Sequence, residues 1–205
     1  MISIYQLKPA FQNLLRPLVQ RLAGAGVTAN SVTLTAMLIS IALGIWLYLC
    51  AASAPHWFLL LPLWMFVRMA FNAVDGMLAR EHQQQSPLGA YLNELSDVIS
   101  DTALYLPFCL LAPFTPLSIF AVIWCAALSE MTGALGPMIG ARRQYQGPMG
   151  KSDRAFVFGA LGLWVGLGFA LPAVLVWLPW LLCALMLLNI AARINAGLRE
   201  LTLNK

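Results

Sequence analysis

The chain has 205 residues, of which 60% are hydrophobic and only 10% charged, whereas a soluble domain carries about 25% charged residues. This composition excludes a water-soluble globular protein, and 7 Trp with 10 Phe exclude a disordered one. The net charge of +4 does not point to nucleic acid, because the 12 basic residues stand mostly at the ends of apolar runs rather than in a patch interleaved with aromatics.

The N-terminal segment, residues 1–28, has no cleavable apolar core. Ile4, Leu7, Phe11, Leu14, Leu15, Val19 and Leu22 fall near one helical face with Lys8, Arg16 and Arg21 elsewhere. That pattern predicts an amphipathic helix lying in the membrane interface, or else a helix packed on the bundle. Gly24 and Gly26 end it, and Asn30 is placed to cap the first span.

Apolar runs follow at about 31–53, 57–80, 88–112, 116–140, 154–171 and 173–196, separated by Pro, Gly or charged clusters. A span needs about 20 apolar residues. The prediction is an all-α integral membrane protein, with six transmembrane helices behind the interfacial helix and residues 1–205 forming a single membrane domain. The loops at 54–56, 113–115 and about 172 contain no Lys or Arg. The opposite side carries Lys8, Arg16, Arg21, Arg80, Arg142, Arg143, Lys151, Arg154, Arg199 and Lys205, with Arg193 close by. By the positive-inside rule both termini are cytoplasmic. Trp57, Trp177 and Trp180 lie toward the uncharged side, as an aromatic belt would, and the four cysteines sit singly in apolar runs as packing residues.

Of eight acidic residues, five fall inside predicted spans: Asp75, Glu94, Asp97, Asp101 and Glu130. Each ionisable group at bilayer depth costs about 2.5–3.5 kcal/mol even on a lenient scale, so such groups face the bundle interior and usually serve function. Arg68, Asn72, Asp75 and Ala79 share one helical face; Gly89, Asn93, Asp97 and Asp101 share another, overlapped by Glu94. Carboxylates and amide oxygens gathered in this way repel one another unless a positive group sits between them, and they suit a hard cation such as Mg²⁺, Ca²⁺ or Mn²⁺. Small residues at Gly76 and Ala79 leave room for a ligand, and Arg80 can pair with a phosphate. The residues alone thus predict a metal-assisted site for a phosphate-bearing substrate on the cytoplasmic side.

Asp75-Gly76-Met77-Leu78-Ala79-Arg80, then eight residues, Gly89, three residues, Asn93, three residues and Asp97 resembles the signature of the CDP-alcohol phosphatidyltransferases, D-x-x-D-G-x-x-A-R, eight residues, G-x-x-x-D-x-x-x-D. Ala29-Asn30-Ser31-Val32-Thr33 with Gly44, and Gly150-Lys151, resemble further elements of that family. The resemblance implies a homodimeric, multi-pass enzyme of the bacterial inner membrane, acting in phospholipid biosynthesis. It would move a phosphatidyl or other phosphoalcohol group from a CDP-alcohol, CDP-diacylglycerol foremost, to an acceptor hydroxyl, using Mg²⁺ or Mn²⁺. It further implies that Asp75 binds metal, that Asp97 is general base and metal ligand, and that Gly76, Ala79, Arg80 and Gly89 line the CDP pocket, with Asn30, Thr33 and Lys151 as further substrate-binding candidates.

Asn72 and Asn93 stand where the family has its first and third acids. Asparagine keeps a carbonyl oxygen but loses the charge and cannot bridge two cations as a carboxylate does. Glu94 and Asp101 are the nearby acids able to restore charge, although Glu94 is rotated about 100° from Asn93 on an ideal helix. A catalytically silent relative that binds nucleotide or lipid is the alternative these asparagines suggest. A small ion transporter is another, but it would not require Gly76, Ala79, Arg80 and Gly89 at these spacings. Glu130 is placed to contact substrate or to pair with Arg68, while Gly136 with Gly140 and Gly162 with Gly166 read as helix-packing stripes.

Overall fold

The computed structural model describes residues 4–203 and is helical, with no strand among the described residues. The described residues form seven α-helices: α1 (Ile4–Gly24), α2 (Ala29–Cys50), α3 (Leu60–Glu81), α4 (Pro87–Tyr105), α5 (Pro116–Ala134), α6 (Lys151–Gly166) and α7 (Leu178–Leu203). Short 3-10 turns precede α3 and α7 and follow α4 and α5. The segments Ala29–Cys50, Pro55–Glu81, Pro116–Ile139 and Ala173–Thr202 are long and apolar enough to cross a membrane. The helices in the other two predicted spans fall short for visible reasons: α4 carries Glu94, Asp97 and Asp101, and α6 has only 16 residues.

Span ends differ from the apolar runs where local chemistry intervenes. Helix α4 stops at Tyr105 rather than near 112: Pro107 has no N–H to continue the α-helical ladder, and the chain goes on as a 3-10 turn over Leu106–Leu110. Helix α5 stops at Ala134, so Gly136 and Gly140 lie beyond it and form no helix-packing stripe. Gly140, at φ 85°, instead closes the 3-10 turn. The cap of α2 is Thr28, not Asn30: Thr28 Oγ1 accepts from the Ser31 amide at 3.1 Å, and Ser31 Oγ accepts from the Thr28 amide at 3.2 Å.

Helix α1 packs along α3, burying Val19 among Val74, Met77 and Leu78, with Leu15 and Leu22 at the margin. Leu14 and Leu18 remain exposed, and Arg16 pairs with Glu81 at 3.1 Å. The side chains of Ile4, Leu7 and Lys8, and the whole of Lys205, lie outside the described residues.

The bundle is apolar outside and charged within. Leu38, Leu49, Phe66, Leu117, Trp124 and Leu188 are exposed, while Arg68, Asp75, Asp101, Glu130, Arg154 and Arg193 are buried. Arg154, with no exposed surface, is the bulkiest of the fully buried side chains. Water would select the reverse arrangement, whereas a hydrocarbon solvent selects this one. Helix α2 packs against both α3 and α4, and these two approach each other less closely than either approaches α2. The close α2–α4 crossing depends on Gly44, where a Cβ would stand 2.2 Å from the Ala103 carbonyl oxygen. The two polar stripes therefore meet across side chains rather than by direct helix packing.

Candidate active site

Helices α2, α4 and α6 begin, and α3 ends, at the same end of the bundle, and the motif residues collect there. In the first turns of α2, Thr33 Oγ1 donates to Asp75 Oδ2 at 2.8 Å. One turn earlier, Asn30 Oδ1 lies 2.9 Å from where a Gly89 Cβ would be, so the missing side chain at Gly89 lets the first turn of α4 approach α2. Ser86 caps α4 by accepting from the Gly89 amide at 2.9 Å, with Pro87 at the first helical position. Gln84 ties the corner together: its Oε1 accepts from the Ala29 amide at 2.6 Å, its Nε2 donates to Val27 O at 3.3 Å, and its backbone N–H donates to Ala79 O at 3.1 Å. The Ala79 side chain packs into the apolar cluster under α1. Arg80 is exposed, and its guanidinium lies over Gly76, 3.1 Å from the Cβ that glycine lacks.

The second half of the site is an ion-pair network. Asp97 Oδ1 accepts from Arg68 Nη2 at 3.2 Å and from the Lys151 ammonium. Lys151 opens α6, after a Gly150 whose amide donates to Asp153 at 3.0 Å. Arg68 also holds Asp101 at 2.6 Å, and Arg154 joins Asp101 at 3.2 Å to Glu130 at 2.9 Å. Glu130 further pairs with Arg143 at 3.3 Å and Arg193 at 3.6 Å; Arg143 reaches Glu94 at 2.7 Å. Arg193 also donates to the Ser129 carbonyl, and the Ser129 hydroxyl donates to Asn189 Oδ1 at 2.8 Å. Burial works against the Arg143 charge, but Glu94 and Tyr145 beside it hold the guanidinium above its ordinary value.

Arginine and lysine side chains of the protein itself thus sit between the carboxylates. Glu94 and Asp101, the acids able to restore charge beside Asn93, are both engaged by arginines. Glu130 pairs with Arg154, Arg143 and Arg193 and not with Arg68. Asp75 is buried and has no cation within 4 Å among the described residues, although Asp97 and Lys151 are close enough to act on it electrostatically.

These facts bear on a divalent cation. Among the described residues no three Asp, Glu, His or Cys side chains converge as a ligand set. Asp97 Oδ2 and the side chains of Asn72 and Asn93 make no hydrogen bond among the described residues, and Asp75 takes its side-chain hydrogen bond from Thr33. Carboxylates and amide oxygens are hard donors of the kind Mg²⁺ and Mn²⁺ take, while Glu94 and Asp101 are already paired with arginines.

Arg154, Arg193, Ser129, Asn189 and Gln84 escaped the sequence reading as site residues. The arginines carry a signal, since each is an ionisable group in or beside an apolar run, but the same position also suits a topology marker. A separate concavity of about 640 Å³, lined by Arg142, Gln144, Gln146, Arg199 and Glu200, contains none of the motif residues.

A family model for CDP-alcohol phosphatidyltransferase matches residues 26–194. The chain belongs to the CDP-alcohol phosphatidyltransferase family. The matched stretch takes in α2 through most of α7 and leaves α1 outside. The chain is 47% identical over 189 residues to the inner membrane protein YnbA of Escherichia coli K12, covering 91% of this chain and 92% of that one. It is 30% identical over 139 residues to the archaetidylinositol phosphate synthase of Aeropyrum pernix, covering 62% and 71%. The fold resembles that of Mycobacterium tuberculosis phosphatidylinositol phosphate synthase in two crystal structures. The one with CDP-DAG bound has a TM-score of 0.71 at 20% identity, covering 88% of this chain and 92% of the other. The one in complex with manganese and citrate has a TM-score of 0.70 at 20% identity, covering 88% and 87%.

Proposed function

We propose that the protein transfers a phosphatidyl or other phosphoalcohol group from a CDP-alcohol, CDP-diacylglycerol foremost, to an acceptor hydroxyl, releasing CMP in phospholipid synthesis. The carrying observation is the meeting of Thr33 with Asp75, Asn30 with Gly89 and Lys151 with Asp97 where three helices begin. Helix N-termini present positive dipole ends and free amides, a favourable setting for a diphosphate. Arg80 over Gly76, with Ala79 and Gly89, frames the CDP moiety.

The acceptor oxygen attacks the β-phosphorus, the bond from that phosphorus to the bridging oxygen breaks, and CMP leaves with the bond's electrons. Asp97 takes the acceptor's proton on Oδ2, while Lys151 and Arg68 hold Oδ1 and fix the carboxylate's orientation. One Mg²⁺ or Mn²⁺, held by Asp75, Asp97 and the amide oxygens of Asn72 and Asn93, would neutralise charge on the diphosphate. A second reading, a silent relative that binds CDP-lipid without turnover, is favoured by the two asparagines and by the doubly paired Asp97.

Helices α4 and α6 complete six spans in this reading, because their Asp101 and Arg154 are buried in mutual pairing. Both termini are then cytoplasmic, α1 turns Leu14 and Leu18 toward lipid, and the protein works in the bacterial inner membrane as a homodimer. A periplasmic signal from a reporter fused at Gln146 would contradict this topology.

The test of function is CMP release from CDP-diacylglycerol by purified protein with Mg²⁺ or Mn²⁺ across a panel of polyols. Metal-dependent release with at least one acceptor is the expected result; none with any metal or acceptor would favour the silent relative.

A further inference from the structure

The acceptor hydroxyl has to reach Asp97 Oδ2, so the side chains around Asp97 decide which alcohols can approach. A phosphate monoester brings about −1.5 to −2 charge at neutral pH and needs an uncommitted cation to receive it. Among the described residues every cation around Asp97 except Arg80, which frames the CDP moiety, is already paired with a carboxylate. Arg68 holds Asp97 and Asp101, Lys151 holds Asp97, Arg154 holds Asp101 and Glu130, Arg143 holds Glu94 and Glu130, and Arg193 holds Glu130.

Glu94 lies one helical turn before Asp97 on α4, on the same side, and its side chain is 30% exposed against 7% for Glu130. A phosphate arriving beside Asp97 would have the partly exposed Glu94 carboxylate as a repelling neighbour. It could gain Arg143 only by displacing Glu94, which exchanges one ion pair for another and leaves a half-buried carboxylate without its partner. A neutral hydroxyl needs no such exchange, and Asp97 Oδ2 carries no hydrogen bond among the described residues. A carboxylate accepts from polyol O–H groups, so paired acids that repel a phosphate still suit an uncharged polyol.

We propose that the acceptor is a polyol without a phosphate group, and that Glu94 and Glu130 exclude phosphorylated acceptors by occupying the arginines such acceptors would use. The proposal rests on the transfer reaction described above.

The test compares glycerol and myo-inositol with their monophosphates as acceptors in CMP release, and measures glycerol 3-phosphate binding by calorimetry on the detergent-purified full chain without donor. Wild type should use the free polyols at least about tenfold better, the scale of one hydrogen bond to a charged group. Glu94→Gln and Glu130→Gln should each raise glycerol 3-phosphate affinity by about tenfold or more. Glu94→Gln alters a half-exposed pair and keeps the test open if Glu130→Gln does not fold. A wild type that prefers the monophosphates, or binds glycerol 3-phosphate as tightly as Glu94→Gln does, overturns the proposal. No CMP release with any acceptor, together with a gain of glycerol 3-phosphate affinity in Glu94→Gln, would remove the transfer reaction while supporting the charge filter.

Discussion

Lys151, the first residue of α6, donates to the same Asp97 oxygen that Arg68 of α3 engages, so the acid of α4 is held from two other helices. This fixes one carboxylate oxygen and leaves Oδ2 without a hydrogen bond among the described residues. The network behind it runs through Asp101 and Arg154 to Glu130 and joins α3, α4, α5 and α6 through buried charge.

Removing one member of that chain should be costly. Arg154→Leu leaves Asp101 with Arg68 alone and takes from Glu130 its 2.9 Å partner. Breaking a buried pair from one side costs about 3–5 kcal/mol. Arg142→Ala, at a pair whose arginine side chain is 90% exposed, should cost no more than about 1 kcal/mol. Thermal unfolding of both variants in detergent measures the contrast, and equal losses would mean that the buried network contributes no more than a surface pair.

Gly44→Ala should also destabilise, and should damage the site at a distance. Its Cβ would stand 2.2 Å from the Ala103 carbonyl oxygen, which is backbone, so α2 and α4 must separate. Overpacking of this kind costs about 1–3 kcal/mol. The separation also shifts Asn30 and Thr33 relative to Gly89 and Asp97. Gly24→Ala, where no atom lies within 4 Å of the added carbon, is the control. The expected outcome is a lower unfolding temperature and weaker CDP-diacylglycerol binding for Gly44→Ala alone.

Metal affinity should respond to the two asparagines. The pair Asn72→Asp and Asn93→Asp adds two carboxylates beside Asp75 and Asp97, where Glu94 and Asp101 are already committed to arginines. Since ligand charge count tunes affinity for hard cations, the double variant should bind Mn²⁺ about tenfold more tightly or better. Calorimetry decides it. An unchanged affinity, or two ions bound tightly by the natural sequence, would show that Glu94 and Asp101 leave their arginines to serve the metal.

Much of the scaffold was readable from apolar runs, because the pattern that buries a span is local to it. The motif residues were readable for a similar reason: Asp75, Asn93 and Asp97 keep fixed spacings on two consecutive helices. What required the fold was partnership. Arg68 is 33 residues from Asp101 and Arg154 is 53 from it, so nothing local distinguishes them from basic residues that only mark a cytoplasmic loop. Arg154 served as a topology marker in the sequence and as the bulkiest fully buried side chain in the structure. Asn30 looked like a cap because it stands at the head of an apolar run; Thr28 caps instead, which leaves Asn30 to meet Gly89. The 3-10 turns shortened α4 and α5 where Leu106-Pro107 and Gly136-Pro137 interrupt runs that hydropathy alone would continue.

The central claim is that Asp97 performs proton transfer in a phosphoalcohol transfer reaction. Its most direct test is CMP release from CDP-diacylglycerol by the natural protein and by Asp97→Asn, at equal folded concentration and with the same metal and acceptor. A general base contributes about 10²–10⁴-fold to rate, so Asp97→Asn should lose at least about a hundredfold in CMP release while still binding CDP-diacylglycerol. An Asp97→Asn variant that releases CMP at close to the natural rate would contradict the account.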